Sequence, residues 1–205
     1  GWKFAYRTWG GWGGQYFAVY TDDQAKGQKF IDDAWEELAI ANPLKGEAFS
    51  LAGGFLKRSG LGFDEIFLND KTQKSMERIV RVVNKNGAAA ANKGVILQGP
   101  AGTGKTLGAR VIMNQAKATY IWIAAKDIYQ LGTYTCFSEA FDLARKLAPS
   151  IILFEDVDNF MHEGTVDLLK GEMDGLAQSS GVTTLLTTNF PEKLPSALVD
   201  RPGRF

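Results

Sequence analysis

With 205 residues, 45% hydrophobic and 22% charged, the chain has the composition of a globular protein with a real core, as one large domain or two smaller ones. Lys+Arg and Asp+Glu both number 23, so no global basic field points to nucleic acid. The single cysteine, Cys136, excludes an internal disulfide framework, and neither a signal-peptide pattern nor a membrane-length apolar run is present; the expected location is cytoplasmic.

Lys3 to Thr8 and Gln15 to Tyr20 are rich in aromatic and β-branched residues, with Gly10, Gly11, Gly13 and Gly14 between them, which predicts a hairpin. Trp2, Trp9 and Trp12 read either as the cap of a small core or as a stacking surface. Thr21 to Gln24 has the T-x-x-Q form of a capping box and starts a predicted helix reaching Ala41, which Asn42-Pro43 ends. The acids Asp32, Asp33, Glu36 and Glu37 are expected on its solvated face. Leu51 to Gly62 is glycine-rich and reads as a linker, so residues 1–58 are expected to form a small α+β accessory domain and linker.

From Phe63 strands and helices alternate. Met76, Ile79, Val80 and Val83 share one face of a helix over Thr72–Asn84. Strands are predicted at Gly94–Gln98, Thr119–Ala124, Ile151–Phe154 and Val182–Thr187, with helices from Thr106, at Ser138–Leu147 and around Thr165–Leu176. This alternation predicts an α/β domain over residues 59–205, with a mostly parallel sheet between two helical layers. Ligands then bind beyond the carboxyl ends of the strands.

Gly99-Pro100-Ala101-Gly102-Thr103-Gly104-Lys105-Thr106 fits the phosphate-binding pattern G-x-x-x-x-G-K-[ST], between a predicted strand and a predicted helix. Gly99, Gly102 and Gly104 let the backbone take positive φ and aim N–H groups at an anion. Pro100 to Thr106, with Leu107 opening the helix, are the candidate positions for ATP or ADP; Lys105 suits the β- and γ-phosphates of ATP, and the Thr106 hydroxyl suits Mg²⁺. Glu155 and Asp156 end the apolar run Ile151–Phe154, where one acid is expected to orient the metal and the other to activate water. Asn189 follows the last strand and suits either orienting that water or touching the γ-phosphate, and Arg201 and Arg204 suit phosphoryl charge. His162 has no histidine or cysteine neighbours in sequence and is expected in a surface loop, and Cys136 is expected to be a small buried residue.

Together GPAGTGKT (99–106), IILFEDVD (151–158), LLKGEMDG (168–175), TTN (187–189) and ALVDRPGRF (197–205) resemble the AAA family of ATPases within the AAA+ superfamily. The resemblance begins more weakly at Phe63-Asp64-Glu65-Ile66 and implies that Asp64 and Ile66 help frame the adenine. It implies the P-loop NTPase three-layer αβα fold and an Mg²⁺-dependent ATP hydrolase that remodels or unfolds a protein substrate. It also implies self-association as a homohexamer. Asn189 falls at the sensor-1 position, and Arg201 and Arg204 at the arginine fingers that complete a neighbour's site in trans.

Three departures from the family pattern qualify these expectations. The usual Asp-Glu is Glu155-Asp156 here, which assigns metal orientation through water to Glu155 and water activation to Asp156, each one methylene from its usual reach. The aromatic-apolar-Gly triplet of the substrate-gripping loop is replaced by Gln130-Leu131-Gly132 between Tyr129 and Tyr134; one tyrosine is expected to serve, with a structural role for both as the alternative. The helical lid that the family carries next is not within these residues, so the chain is expected to be part of a longer one. Two other readings stay open: an ATP-gated assembly scaffold with slow hydrolysis, and a DNA-associated remodelling ATPase. Neutral charge argues against the last, and no nucleic-acid partner or membrane segment is expected.

Overall fold

Strand β1 (Lys3–Arg7) pairs antiparallel with β2 (Tyr16–Tyr20), Lys3 opposite Tyr20 and Arg7 opposite Tyr16, as the hairpin reading requires. The computed structural model describes residues 3–7, 16–87, 93–175 and 181–199, so Trp2, Trp9 and Trp12 lie outside the described residues. Helix α1 (Gln24–Ile40) is capped by Asp23 and not by Thr21: Asp23 Oδ1 accepts the Lys26 N–H at 3.2 Å, while Thr21 Oγ1 accepts the Asp23 N–H. The carboxylate is as good a cap as a threonine hydroxyl and also gains from the helix dipole.

The chain divides into two units at Asn42/Pro43, not at residue 58. In the second unit the stretch read as a linker supplies a strand, β4 (Gly54–Phe55), which pairs antiparallel with β3 (Ala48–Ser50) just before it, at one edge of a six-stranded sheet. The other strands are β5 (Lys93–Gln98), β6 (Thr119–Ile123), β7 (Ser150–Phe154) and β8 (Val182–Thr188). The order is β4-β3-β6-β7-β8-β5, and every pair except β3–β4 is parallel.

Strand alternation builds the three layers. Tyr120, Trp122, Ile151, Leu153 and Leu185 pack toward α2 (Asp70–Asn86) and α3 (Lys105–Gln115). Ile121, Ile123, Ile152, Phe154 and Leu186 pack toward the opposite layer, with Phe137 and Phe141 of α5 (Thr133–Lys146) and Leu169 of α6 (Glu163–Gly175). Every residue of β6, β7 and β8 is buried, which is why the four-residue apolar run reads as a central parallel strand. Cys136 is buried as expected, its thiol donating to the Asp127 carbonyl oxygen and pushed up to about 11, chiefly by burial. His162 is exposed.

Ala125–Leu131, read as loop, is a helix, α4, and a last short helix, α7, covers Ser196–Val199. The buried Asp127 carboxylate fixes the start of α4 by accepting from the Ala124 and Ala52 N–H groups and the Ser50 hydroxyl. A second anchor is Arg58, which donates to the carbonyl oxygens of Met113, Ala116, Gly46 and Ala118. Asn114 continues the strap, accepting from Ser59 N–H and donating to Leu61 O. Among the described residues no helix is long and apolar enough to cross a membrane.

Candidate nucleotide-binding site

The loop Gly99–Gly104 joins β5 to α3 at the carboxyl end of the sheet. Gly99, Gly102 and Gly104 have φ of 151°, 80° and 85°, a region side-chain-bearing residues avoid. Gly104 is the N-cap of α3 and provides no side-chain cap, so the first N–H groups of the helix are left to a ligand. Lys105 Nζ donates to Gly99 O at 2.7 Å and to Pro100 O at 2.8 Å, and Thr103 Oγ1 donates to Pro100 O at 2.8 Å. A cavity of about 710 Å³ opens beside the loop, lined by Phe67, Leu68 and Thr72 together with Gly99, Gly104 and Lys105. Its size is that of a small-molecule site.

Strand β7 delivers the two acids. Thr106 Oγ1 donates to Glu155 Oε1 at 2.7 Å and Trp122 Nε1 donates to Glu155 Oε2 at 2.9 Å. Thus Glu155 is held on the loop helix from one side and on β6 from the other. Asp156 takes φ 50°, ψ 55°, the left-handed region, costly for a residue with a Cβ. Its N–H donates to Thr187 Oγ1 at 2.8 Å and its Oδ1 accepts from Asn189 Nδ2 at 3.2 Å. Burial, then the negative charges of Glu155 and Asp158, raise the Asp156 pKa above the usual carboxylate range, against the opposing effects of Lys105 and Asn189.

Asp158 behaves oppositely. Burial works against its ionisation, but hydrogen bonds from the Thr188 hydroxyl (2.8 Å) and the Asn189 N–H (2.9 Å) leave its pKa lowered overall. It anchors the end of β8 and so sets where Asn189 stands. A loop of backbone donors, a lysine, a threonine–carboxylate pair and a second acid under an asparagine is an arrangement suited to a phosphate-bearing ligand and a hard cation.

The family model for "ATPase family associated with various cellular activities (AAA)" matches residues 95–205, more than half of the chain. The chain belongs to the AAA family. It is 31% identical over 190 residues to the ATP-dependent zinc metalloprotease FtsH of Lancefieldella parvula, across 78% of this chain and 29% of that protein. To the chloroplastic ATP-dependent zinc metalloprotease FTSH 6 of Arabidopsis thaliana it is 33% identical over 168 residues, 72% of this chain and 24% of the relative. Among solved structures, the FIGL-1 AAA domain in complex with ADP superposes with a TM-score of 0.56 at 27% identity, covering 68% of this chain and 52% of that one. A structure described as the structural basis for katanin self-assembly gives a TM-score of 0.55 at 28% identity, covering 69% and 51%. The chain therefore spans less than a third of these curated relatives and about half of these solved chains.

Of the residues expected at the site, the structure brings together the loop through Lys105 and Thr106, Glu155, Asp156 and Asn189. Leu107 is partly exposed on the first turn of α3. Asp64 and Ile66 do not line the cavity: Ile66 is buried in the α2/α3 core, Asp64 is exposed on a short 3₁₀ turn, and the next residues, Phe67 and Leu68, reach the cavity instead. Phe63 and Ile66 anchor this segment in the core, which turns the residues after them toward the loop. Arg201 and Arg204 lie outside the described residues. Tyr129 and Tyr134 are exposed, 92% and 69%, on either side of Gly132, so neither is a core residue.

Sequence reasoning missed Trp122, read only as part of a buried strand. Its signal was the alternation in Thr119–Ile123, which puts Tyr120 and Trp122 on the α3 face of the sheet. No cluster of three or more His, Cys, Asp or Glu suited to a metal occurs among the described residues. Mg²⁺ does not require one, because it takes one or two protein oxygens with phosphates and waters. Thr106 and Glu155, in hydrogen-bond contact beside the loop, are a hard oxygen set that fits.

Proposed function

We propose that this chain is the nucleotide-binding part of an Mg²⁺-dependent ATPase that works as a ring oligomer to remodel or unfold a protein substrate. The observation carrying the reading is the Thr106–Glu155 contact beside a lysine-bearing phosphate loop, with Asp156 and Asn189 paired at the same sheet end. The exposed helix N–H groups and Lys105 bind the phosphates, Lys105 exchanging the Gly99 and Pro100 carbonyl oxygens for phosphate oxygens. Thr106, and Glu155 through water, would hold Mg²⁺, which would supply charge neutralisation at the phosphates. Asp156 orients the attacking water and accepts its proton, and its raised pKa moves it toward the working pH of a general base. Asn189 fixes the Asp156 carboxylate. Arg201 and Arg204 reach a neighbouring subunit's nucleotide. The katanin self-assembly structure and the ADP complex of FIGL-1 support assembly and nucleotide binding as family traits.

A second reading, an ATP-gated scaffold with slow turnover, is favoured by one observation: the water-activating position holds an aspartate whose shorter reach and left-handed backbone hold it away from an ordinary geometry. Misplacement of a reacting group by about 1 Å costs on the order of 10²-fold in rate. Turnover of the full-length protein with Mg²⁺-ATP, followed across protein concentration, separates the two. Specific activity that climbs with concentration and vanishes in Arg204→Ala without loss of binding is the motor's result. Tight binding without turnover at any concentration is the scaffold's. Lys105→Ala weakens ATP by on the order of 10²–10³-fold, the penalty for removing a partner from a close charge contact; unchanged affinity would remove both readings.

A further inference from the structure

We infer that Trp122 is a positioning residue that keeps the Glu155 carboxylate turned toward the phosphate loop, an inference that rests on the nucleotide-binding reading above. Both oxygens of Glu155 are engaged, Oε1 by the Thr106 hydroxyl at 2.7 Å and Oε2 by the Trp122 indole N–H at 2.9 Å. Trp122 is itself held: it is 8% exposed, packs in the α2/α3 core with Tyr120, and carries the Arg110 guanidinium 5.6 Å from its ring centroid.

The need for such a hold follows from what lies beside it. A second cavity, about 430 Å³, is lined by Glu155 and Trp122 and also by Lys57, Arg110 and Lys126. Among the described residues none of these three cations makes an ion pair or donates a hydrogen bond. Glutamate has three rotatable side-chain bonds, and opposite charges around one cavity attract even near a surface. Without a second anchor the carboxylate can swing toward these cations and leave Thr106. The indole N–H is a donor with no acceptor capacity, so it holds the acid without competing for a metal. An aspartate at this position would be one methylene too short to keep both contacts. Trp122 and Glu155 are therefore a matched pair: the longer acid is usable because an indole stands where it can be pinned.

The test measures binding of a fluorescent ATP analogue to the full-length protein, in EDTA and along a Mg²⁺ titration, with thermal unfolding of every variant. In Trp122→Phe, which keeps a ring and removes the donor, binding in EDTA is unchanged. The Mg²⁺ concentration giving half of the metal's effect rises on the order of tenfold, the usual cost of losing an outer-sphere partner. The same change in a Glu155→Asp background adds nothing, because the contact is already broken, whereas a general packing role adds in both backgrounds. Unchanged Mg²⁺ dependence in Trp122→Phe, or additive losses, overturns the inference. If Trp122→Phe does not fold, Trp122→Leu, which also removes the donor, is read in its place: a rise of the same order in the half-effect Mg²⁺ concentration upholds the pair, and wild-type dependence overturns it. Failure of Lys105→Ala to weaken the analogue marks failure of the nucleotide-binding reading instead, since that variant leaves the Trp122–Glu155 contact in place.

Discussion

The two ends of α3 treat their orphan backbone groups in opposite ways. At the N-terminus Gly104 gives no side-chain cap, and the donors of the first turn stay open beside Lys105 and Thr106. At the C-terminus Arg58 donates to Met113 and Ala116, and Asn84 Nδ2 donates to Gln115 O at 3.0 Å. A helix leaves four N–H and four C=O groups without internal partners, and its dipole makes the first end attract anions and the second attract cations. Here the protein answers the negative end with its own arginine and leaves the positive end to a ligand. The difference teaches where to look for function: at the end where polar groups are left incomplete, not where they are satisfied.

Changing the incomplete end should affect chemistry and spare the fold. Asp156→Asn keeps the size of the side chain and removes the base, so turnover falls by about 10²–10⁴-fold while ATP affinity holds. The linkage sign is definite. Burial first, and then the Glu155 and Asp158 charges, raise the folded pKa of Asp156, so the folded state holds this proton more tightly than the unfolded chain. Its contribution to stability is present below the ordinary carboxylate pKa and is lost as pH rises through the raised value. At neutral pH the ionised Asp156 therefore opposes folding, and Asp156→Asn unfolds at a higher temperature than wild type. Turnover that survives this change removes Asp156 from its role, and a lower Tm removes the electrostatic account.

Changing the satisfied end should do the reverse. Arg58→Met keeps much of the aliphatic bulk and strands the carbonyl oxygens of Met113, Ala116, Gly46 and Ala118. Loss of hydrogen bonds from a charged donor destabilises by about 2–3 kcal/mol, which is roughly 5–10 °C in Tm for a chain of this size. ATP affinity should not move. A Tm equal to wild type would mean that water serves these carbonyls as well as Arg58 does, and the contrast between the two ends would lose its second half.

The same contrast explains what could be read in advance. The loop at 99–106 and the acids at 155–156 announce themselves because each is a contiguous run whose residue types have few other reasons to occur together. The parallel sheet between two helical layers followed from the alternation of strands and helices, and the central place of β7 from its unbroken apolar run, since β6, β7 and β8 are buried along their whole length. Arg58 and Asn114 gave no such signal: each acts on partners about 55 residues away, and a lone arginine among glycines looks like a linker residue. Strand β3 has three residues, too few to show alternation, and its place in the sheet comes from pairing with β6. Asp64 and Ile66 stand just before the cavity lining because a 3₁₀ turn, not visible in composition, precedes Phe67 and Leu68, which reach the cavity. Asp156's left-handed backbone is likewise a tertiary demand, imposed where β7 must end with its acids beside the loop.

Thr184 is the exception that sharpens the rule. Its hydroxyl is the one buried side-chain polar atom without a hydrogen-bond partner among the described residues. It sits mid-strand in β8, opposite Gly94 of β5 and Ile152 of β7 and two residues before Leu186, away from the loop and the acids. An incomplete polar group there has no ligand to complete it, so it should be only a cost. Replacing it with valine, which has the same branching and no hydroxyl, relieves an unpaired buried group worth about 1 kcal/mol, or roughly 2–4 °C in Tm. Nucleotide affinity and turnover stay as they are. If Thr184→Val instead loses stability, the hydroxyl has a partner in solution that the fold does not reveal. If it loses nucleotide binding, incompleteness at this strand is functional too, and the region that answers to ATP extends through β8 beyond Asn189.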